Sequence, residues 1–99
     1  MDFTIRENNE TILSLARKIG YKPQAVDLGG EYSIIRELSR GKYPRFHIYI
    51  KKNNENNNFI FSLHLDQKQP SYNRSHAHSG EYEGDIIENE AERIKNIME

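Results

Sequence analysis

The chain contains no cysteine. Disulfides, thiolate zinc sites and thiol chemistry are therefore excluded, and nothing points to an oxidising compartment. No apolar run approaches the ~20 residues that cross a bilayer. The first residues, Met1-Asp2-Phe3-Thr4-Ile5-Arg6, lack the basic and then apolar character of a signal peptide. The expectation is a soluble, cytoplasmic protein with no membrane partner. Net charge is also scarce, at a formal −1. Apolar residues are few: Leu, Ile, Val and Phe together number 23, of which 12 are Ile. That lies just above the level at which disorder is the default, and the low net charge favours collapse. A chain this short buries roughly 60–65% of the surface its unfolded form exposes. One small domain spanning residues 1–99 is expected, which excludes a dinucleotide-binding domain or a multidomain enzyme.

The charge that is present is unevenly placed. Residues 32–78 carry a balance of +5, and residues 79–99 a balance of −5. A near-neutral total thus conceals a basic middle and an acidic end, which can pair with each other or stay solvated.

Periodicity divides the chain into five elements in α-β-β-β-α order. Ile12, Leu15, Ala16 and Ile19 fall on one face of a helix over residues 9–19. Asn8 or Asn9 can cap its start, and Gly20 suits its end. Residues 21–30 are loop-like and finish in Gly-Gly. Strand-like runs follow at 31–38, 45–52 and 58–66, the first with imperfect alternation and the other two with clean alternation. Phe46, Ile48 and Ile50 share a face of the second, and Phe59, Phe61, Leu63 and Leu65 a face of the third. The Asn-rich linker 53–57 suits a hairpin. A polar loop over 67–83 has no clear period. A second helix is expected over 85–98, with Asp85 as N-cap, Glu88 completing a capping box, and Ile87, Ala91, Ile94 and Met98 as its stripe. The fold class predicted is α+β, a three-stranded antiparallel meander with both helices on its apolar face. Its core should join Ile12, Leu15, Ile19, Phe46, Ile48, Ile50, Phe61, Leu63, Ile87, Ala91 and Ile94.

All four histidines fall between residues 47 and 78. Pairing Ile50 with Phe61 sets His47 directly opposite His64 on the polar sheet face. Pairing Ile50 with Phe59 makes them a diagonal pair about 7–8 Å apart. Asp66 projects to the face of His64, and His76 and His78 follow in the loop. Histidine plus carboxylate is an ordinary ligand set for zinc or nickel, so His64, Asp66, His76 and His78 are the candidate metal ligands. Two close histidines also suit metal-free acid–base work, since their pKa lies near neutrality. A structureless stretch as long as 67–83 is usually functional or disordered. It carries Tyr72 and Arg74, which together with His47, Tyr49 and His64 are the candidate ligand-binding residues.

The helix, three-strand, helix order is similar to that of a double-stranded-RNA-binding domain. Ile12 to Gly20 and Pro44-Arg45-Phe46-His47-Ile48 resemble that family's first helix and second strand. Asp85, Glu88 and Glu90 stand where the family carries a basic cluster, and they would repel duplex phosphates. His76-Ala77-His78 is similar to the His-hydrophobic-His metal motif of rolling-circle nucleases, with Tyr72 and Tyr82 in the place of nucleophiles. The function expected is that of a binding module rather than an enzyme. Its working surface is the polar sheet face plus the 67–83 loop, and its partner a nucleic acid, a protein or an anionic ligand. Single-stranded nucleic acid, bound weakly, is the first partner to consider. A metal-dependent or histidine-based phosphodiesterase is the alternative. A structural adaptor docking through the acidic C-terminal helix is the third reading.

Overall fold

A computed structural model describes residues 1–6, 9–67 and 79–98. Seven elements are present: β1 (Asp2–Arg6), α1 (Ile12–Ile19), β2 (Lys22–Val26), β3 (Tyr32–Glu37), β4 (Arg45–Lys52), β5 (Asn58–Asp66) and α2 (Ser79–Met98). The sheet is antiparallel and five-stranded, in the order β1-β5-β4-β3-β2. The α+β class holds, but the three-stranded meander does not. Strands β2 to β5 form a meander of four, and β1 closes it by pairing with β5.

The two additional strands have different causes. In β1, Phe3 and Ile5 are buried while Asp2, Thr4 and Arg6 face solvent, an alternation short enough to pass for an N-terminal tail. β2 is an edge strand exposed at every position, so no buried face imprints a period on it. Pro23 fits there because an edge strand can forgo a ladder donor, and the register shifts between Pro23 and Ala25.

α1 starts later than residue 9. Thr11, not Asn8 or Asn9, caps it, its hydroxyl accepting from the Ser14 N–H at 3.1 Å. Asn9 sits at φ 69°, outside the extended conformation an N-cap requires; Asn8 lies outside the described residues. Gly20 ends the helix at φ 88°, a left-handed position that costs glycine little. α2 starts earlier than predicted, so Asp85 lies inside the helix rather than capping it, and residues 79–83 are helical rather than loop. Gly80 and Gly84 and the lack of an apolar stripe before Ile87 hide that first part from periodicity. The rest of the predicted loop, 68–78, lies outside the described residues.

Both helices pack on one face of the sheet. Phe3, Phe61 and Ile50 lie in one cross-strand row, and Leu63, Ile48 and Ile34 in the next. Leu15, Ala16, Ile19, Ile87, Ala91, Ile94 and Met98 cover these rows in a single apolar core. Of the residues expected there, only Ile12 is partly buried rather than fully so. Among the described residues no element covers the opposite face. The β4–β5 turn is held by its asparagines: the side-chain oxygens of Asn53 and Asn56 accept from the Glu55 and Asn58 N–H groups, and Asn57 takes φ 60°.

One acidic side chain is enclosed. Glu90 is 4% exposed and accepts from the Tyr21 hydroxyl at 2.6 Å, from Arg93 twice at 2.8 Å and from Arg36 at 3.1 Å. Arg93 also donates to the Ile19 carbonyl at 2.6 Å, satisfying the end of α1. The acidic end and the basic middle therefore do pair, at Arg36 and Glu90. Glu90 is accordingly not part of any acidic docking face.

Candidate functional site on the open sheet face

The open face is built by residues that alternate with the core rows. Ile50 pairs with Phe61, so His47 stands directly opposite His64. The neighbouring pairs are Tyr49 with Ser62 and Arg45 with Asp66. On the other side of β4, Ser33 pairs with Tyr49 and Ile35 with His47.

His47 is the hub. Its Nδ1 lies 3.3 Å from Asp66 Oδ2 and its Nε2 lies 2.6 Å from Ser33 Oγ. Arg45 donates to the same Asp66 oxygen at 3.3 Å and lies over the Tyr43 ring at 4.8 Å. The ring of Tyr49 sits 4.5 Å from that of His47 and 5.8 Å from that of His64, the latter edge to face. Ser62 donates to Asp2 at 2.8 Å and lies 3.3 Å from His64 Nε2. The side chain of His47 is 13% exposed, whereas Tyr49 is 37% exposed and His64 open to solvent. Burial lowers the pKa of His47 below the ordinary value. The Asp66 carboxylate opposes this, and Arg45 and His64 add to it. His47 is therefore neutral at pH 7.

A second feature lies at the hairpin end of the sheet. Arg6, Asn9, Lys52, Asn56, Asn57 and Asn58 line an open cleft of about 650 Å³. Among the described residues, two cations and four amides form its wall.

The fold thus brings together His47, Tyr49, His64 and Asp66, four of the expected residues. Tyr72, Arg74, His76 and His78 lie outside the described residues. Asp66 Oδ2 is turned to His47 and Arg45, and His64 Nε2 to Ser62. Among the described residues no group of three or more His, Cys, Asp or Glu side chains could hold a metal ion. Among the described residues, no helix is long and apolar enough to cross a membrane. Ser33, Arg45 and Ser62 complete the face; the alternation of the third run already sets Ser62 on the side of His64 and Asp66, whereas Ser33 was not singled out by sequence. Ser33 is a cross-strand neighbour of Tyr49, and only the register of β3 with β4 reveals it. The chain matches no protein-family model, and no curated protein or solved structure matches it either.

Proposed function

We propose that this domain acts by binding, with the open sheet face as its working surface and single-stranded nucleic acid as its ligand. The observation that carries the reading is Tyr49, an exposed aromatic ring on a central strand, buttressed on its own face by His47 and His64. A ring fixed on a rigid sheet offers a stacking platform to an unpaired base, and each base so stacked is worth about 1–3 kcal/mol. The cleft at the hairpin end of the sheet, with Arg6 and asparagine amides in its wall, supports the same reading as a place for backbone phosphate. Arg45 and Lys51 share the strand of Tyr49 and add positive charge along it.

The acids Asp2 and Asp66 on the same face temper the electrostatics, so binding is weak and falls steeply with salt as counterions are released. Fluorescence anisotropy with labelled single strands and duplexes at two salt concentrations tests this. Tyr49→Ala should weaken single-strand binding by about 1–3 kcal/mol, and Arg6→Ala should lower the salt slope by about one. Salt-insensitive binding, or preference for duplex, would overturn the choice of surface.

A further inference from the structure

The hydrogen bonds of His47 do more than hold a ring for stacking. An ionised Asp66 can only accept, so the proton of His47 resides on Nδ1, and Nε2 is left as a bare acceptor. The hydroxyl of Ser33 then has two acceptors in reach, His47 Nε2 at 2.6 Å and the Gln24 side-chain oxygen at 3.4 Å. It has one proton, and the shorter contact takes it. The order along the chain of atoms is Asp66, His47, Ser33, with each link through the atom that general-base activation of a hydroxyl requires. Ser62 provides a contrast on the same face. Its proton goes to Asp2 at 2.8 Å, which leaves it to accept from His64.

Position supports the chemistry. The three residues come from β3, β4 and β5, adjacent strands of one sheet, at diagonal positions that long side chains span. Groups set on strands are held more precisely than groups on loops. Arg45 donates to the same Asp66 oxygen at 3.3 Å and helps to aim it. His47 is buried enough to remain the free base at neutral pH, while Ser33 is only half-buried, on the face that no described element covers.

We infer that Ser33 is an activated nucleophile able to accept an acyl group from an activated aryl ester, with His47 as its general base and Asp66 as the positioning residue for His47. Ser33 Oγ bonds to the ester carbonyl carbon while its proton passes to His47 Nε2. The bond from that carbon to the aryl oxygen breaks, and the departing oxygen takes the proton from Nε2. Water then repeats the sequence, giving a proton to Nε2 as it attacks the acyl carbon, and Ser33 Oγ recovers that proton as the acid is released. The exposed Tyr49 ring beside His47 offers the aryl group a face to lie on. This inference is independent of nucleic-acid binding and stands or falls separately.

The test uses the full chain with an alkyl fluorophosphonate, which loses fluoride as its phosphorus bonds to an activated serine, and with p-nitrophenyl acetate. Intact mass and peptide mapping should find one adduct, on Ser33. The exposed Ser14 and Ser39, and Ser62 beside its own histidine, serve as internal controls and should remain unmodified. Ser33→Ala should abolish the adduct and the burst of p-nitrophenol. Asp66→Asn should slow labelling at least tenfold, because an amide no longer dictates the tautomer. His47→Gln should abolish labelling, with circular dichroism and a thermal melt confirming the fold. If that variant does not fold, the Asp66→Asn rate decides. No adduct, adducts spread equally over the serines, or labelling of Ser33 at an unchanged rate in Asp66→Asn would each overturn the inference.

Discussion

Holding a carboxylate at 4% exposure between two helices and a sheet is costly unless its lone pairs are filled. Glu90 meets that condition with four hydrogen bonds, two from Arg93 and one each from Tyr21 and Arg36. Burial by itself pushes its carboxyl pKa up. Hydrogen bonds from Arg93 and Tyr21, and the charges of Arg93 and Arg36, outweigh this and hold it below its ordinary value. The Tyr21 phenol is driven far the other way, first by burial and then by Glu90, so it stays protonated. Removing the carboxylate leaves these donors without their acceptor. Glu90→Ala should cost about 3 kcal/mol, the low end for a broken buried pair, because both arginine heads reach solvent. A melting temperature within a degree or two of wild type would show that the network is ornamental. The pH response has a definite sign at both perturbed groups. His47 is depressed below 6.5, so its neutral burial favours the fold fully above that value and progressively less as pH falls toward the lowered folded pKa. Glu90 contributes fully above about pH 4.5 and loses that contribution as pH falls through its lower folded value. Thermal melts should therefore decline in two stages on acidification, and His47→Gln should erase the first stage only.

At the level of elements, what could be read from the sequence depended on whether an element has two unlike faces. β4 and β5 span the runs 45–52 and 58–66 expected of them, because each buries one face in the core and leaves the other open. α1 is legible through Leu15, Ala16 and Ile19, all fully buried. β2 escaped notice because neither of its faces is buried, and it owes its place to the ladder with β3 rather than to apolar contact. β1 had the right alternation in Phe3 and Ile5, but only five residues in which to display it. β3 had the opposite difficulty: Ile34 and Ile35 are both buried, on opposite faces, so its period blurred and Ser33 was not assigned to the face it shares with His47. The histidine pair was legible as one of two registers, whereas the serine could not be found until β3 was in register with β4. Helix starts were read least well, since an N-cap depends on one residue's backbone conformation, whereas Gly20 does end α1 as expected. Thr11 now carries that role for α1, so Thr11→Ala should destabilise the protein by about 1 kcal/mol. For a domain of this size that is a fall of roughly 4–8 °C in melting temperature, measurable by differential scanning calorimetry. The same substitution at Thr4, an exposed position on β1, should change it much less.

The two faces of the sheet differ in what they carry. One face is consumed by the core and carries stability; the other is uncovered among the described residues and carries the ring cluster and the Asp66–His47–Ser33 chain. The division also makes stability and function separable by mutation. Phe61 is fully buried, stacks at 5.3 Å on Phe3 and lies opposite Ile50, so truncating it opens a cavity in the centre of the core. Phe61→Ala should cost about 3–5 kcal/mol, a large share of the about 5–15 kcal/mol a domain possesses. Tyr49 lies in the next register pair along β4 from Ile50 but on the opposite side of the sheet, with its ring partly in solvent. Tyr49→Ala should leave unfolding free energy within about 1 kcal/mol of wild type, as exposed substitutions generally do, while removing the stacking platform. Urea unfolding of the two variants checks the contrast directly. If Tyr49→Ala proved as destabilising as Phe61→Ala, the open face would have to be a second core, covered in the folded protein, and not a surface kept clear for a ligand.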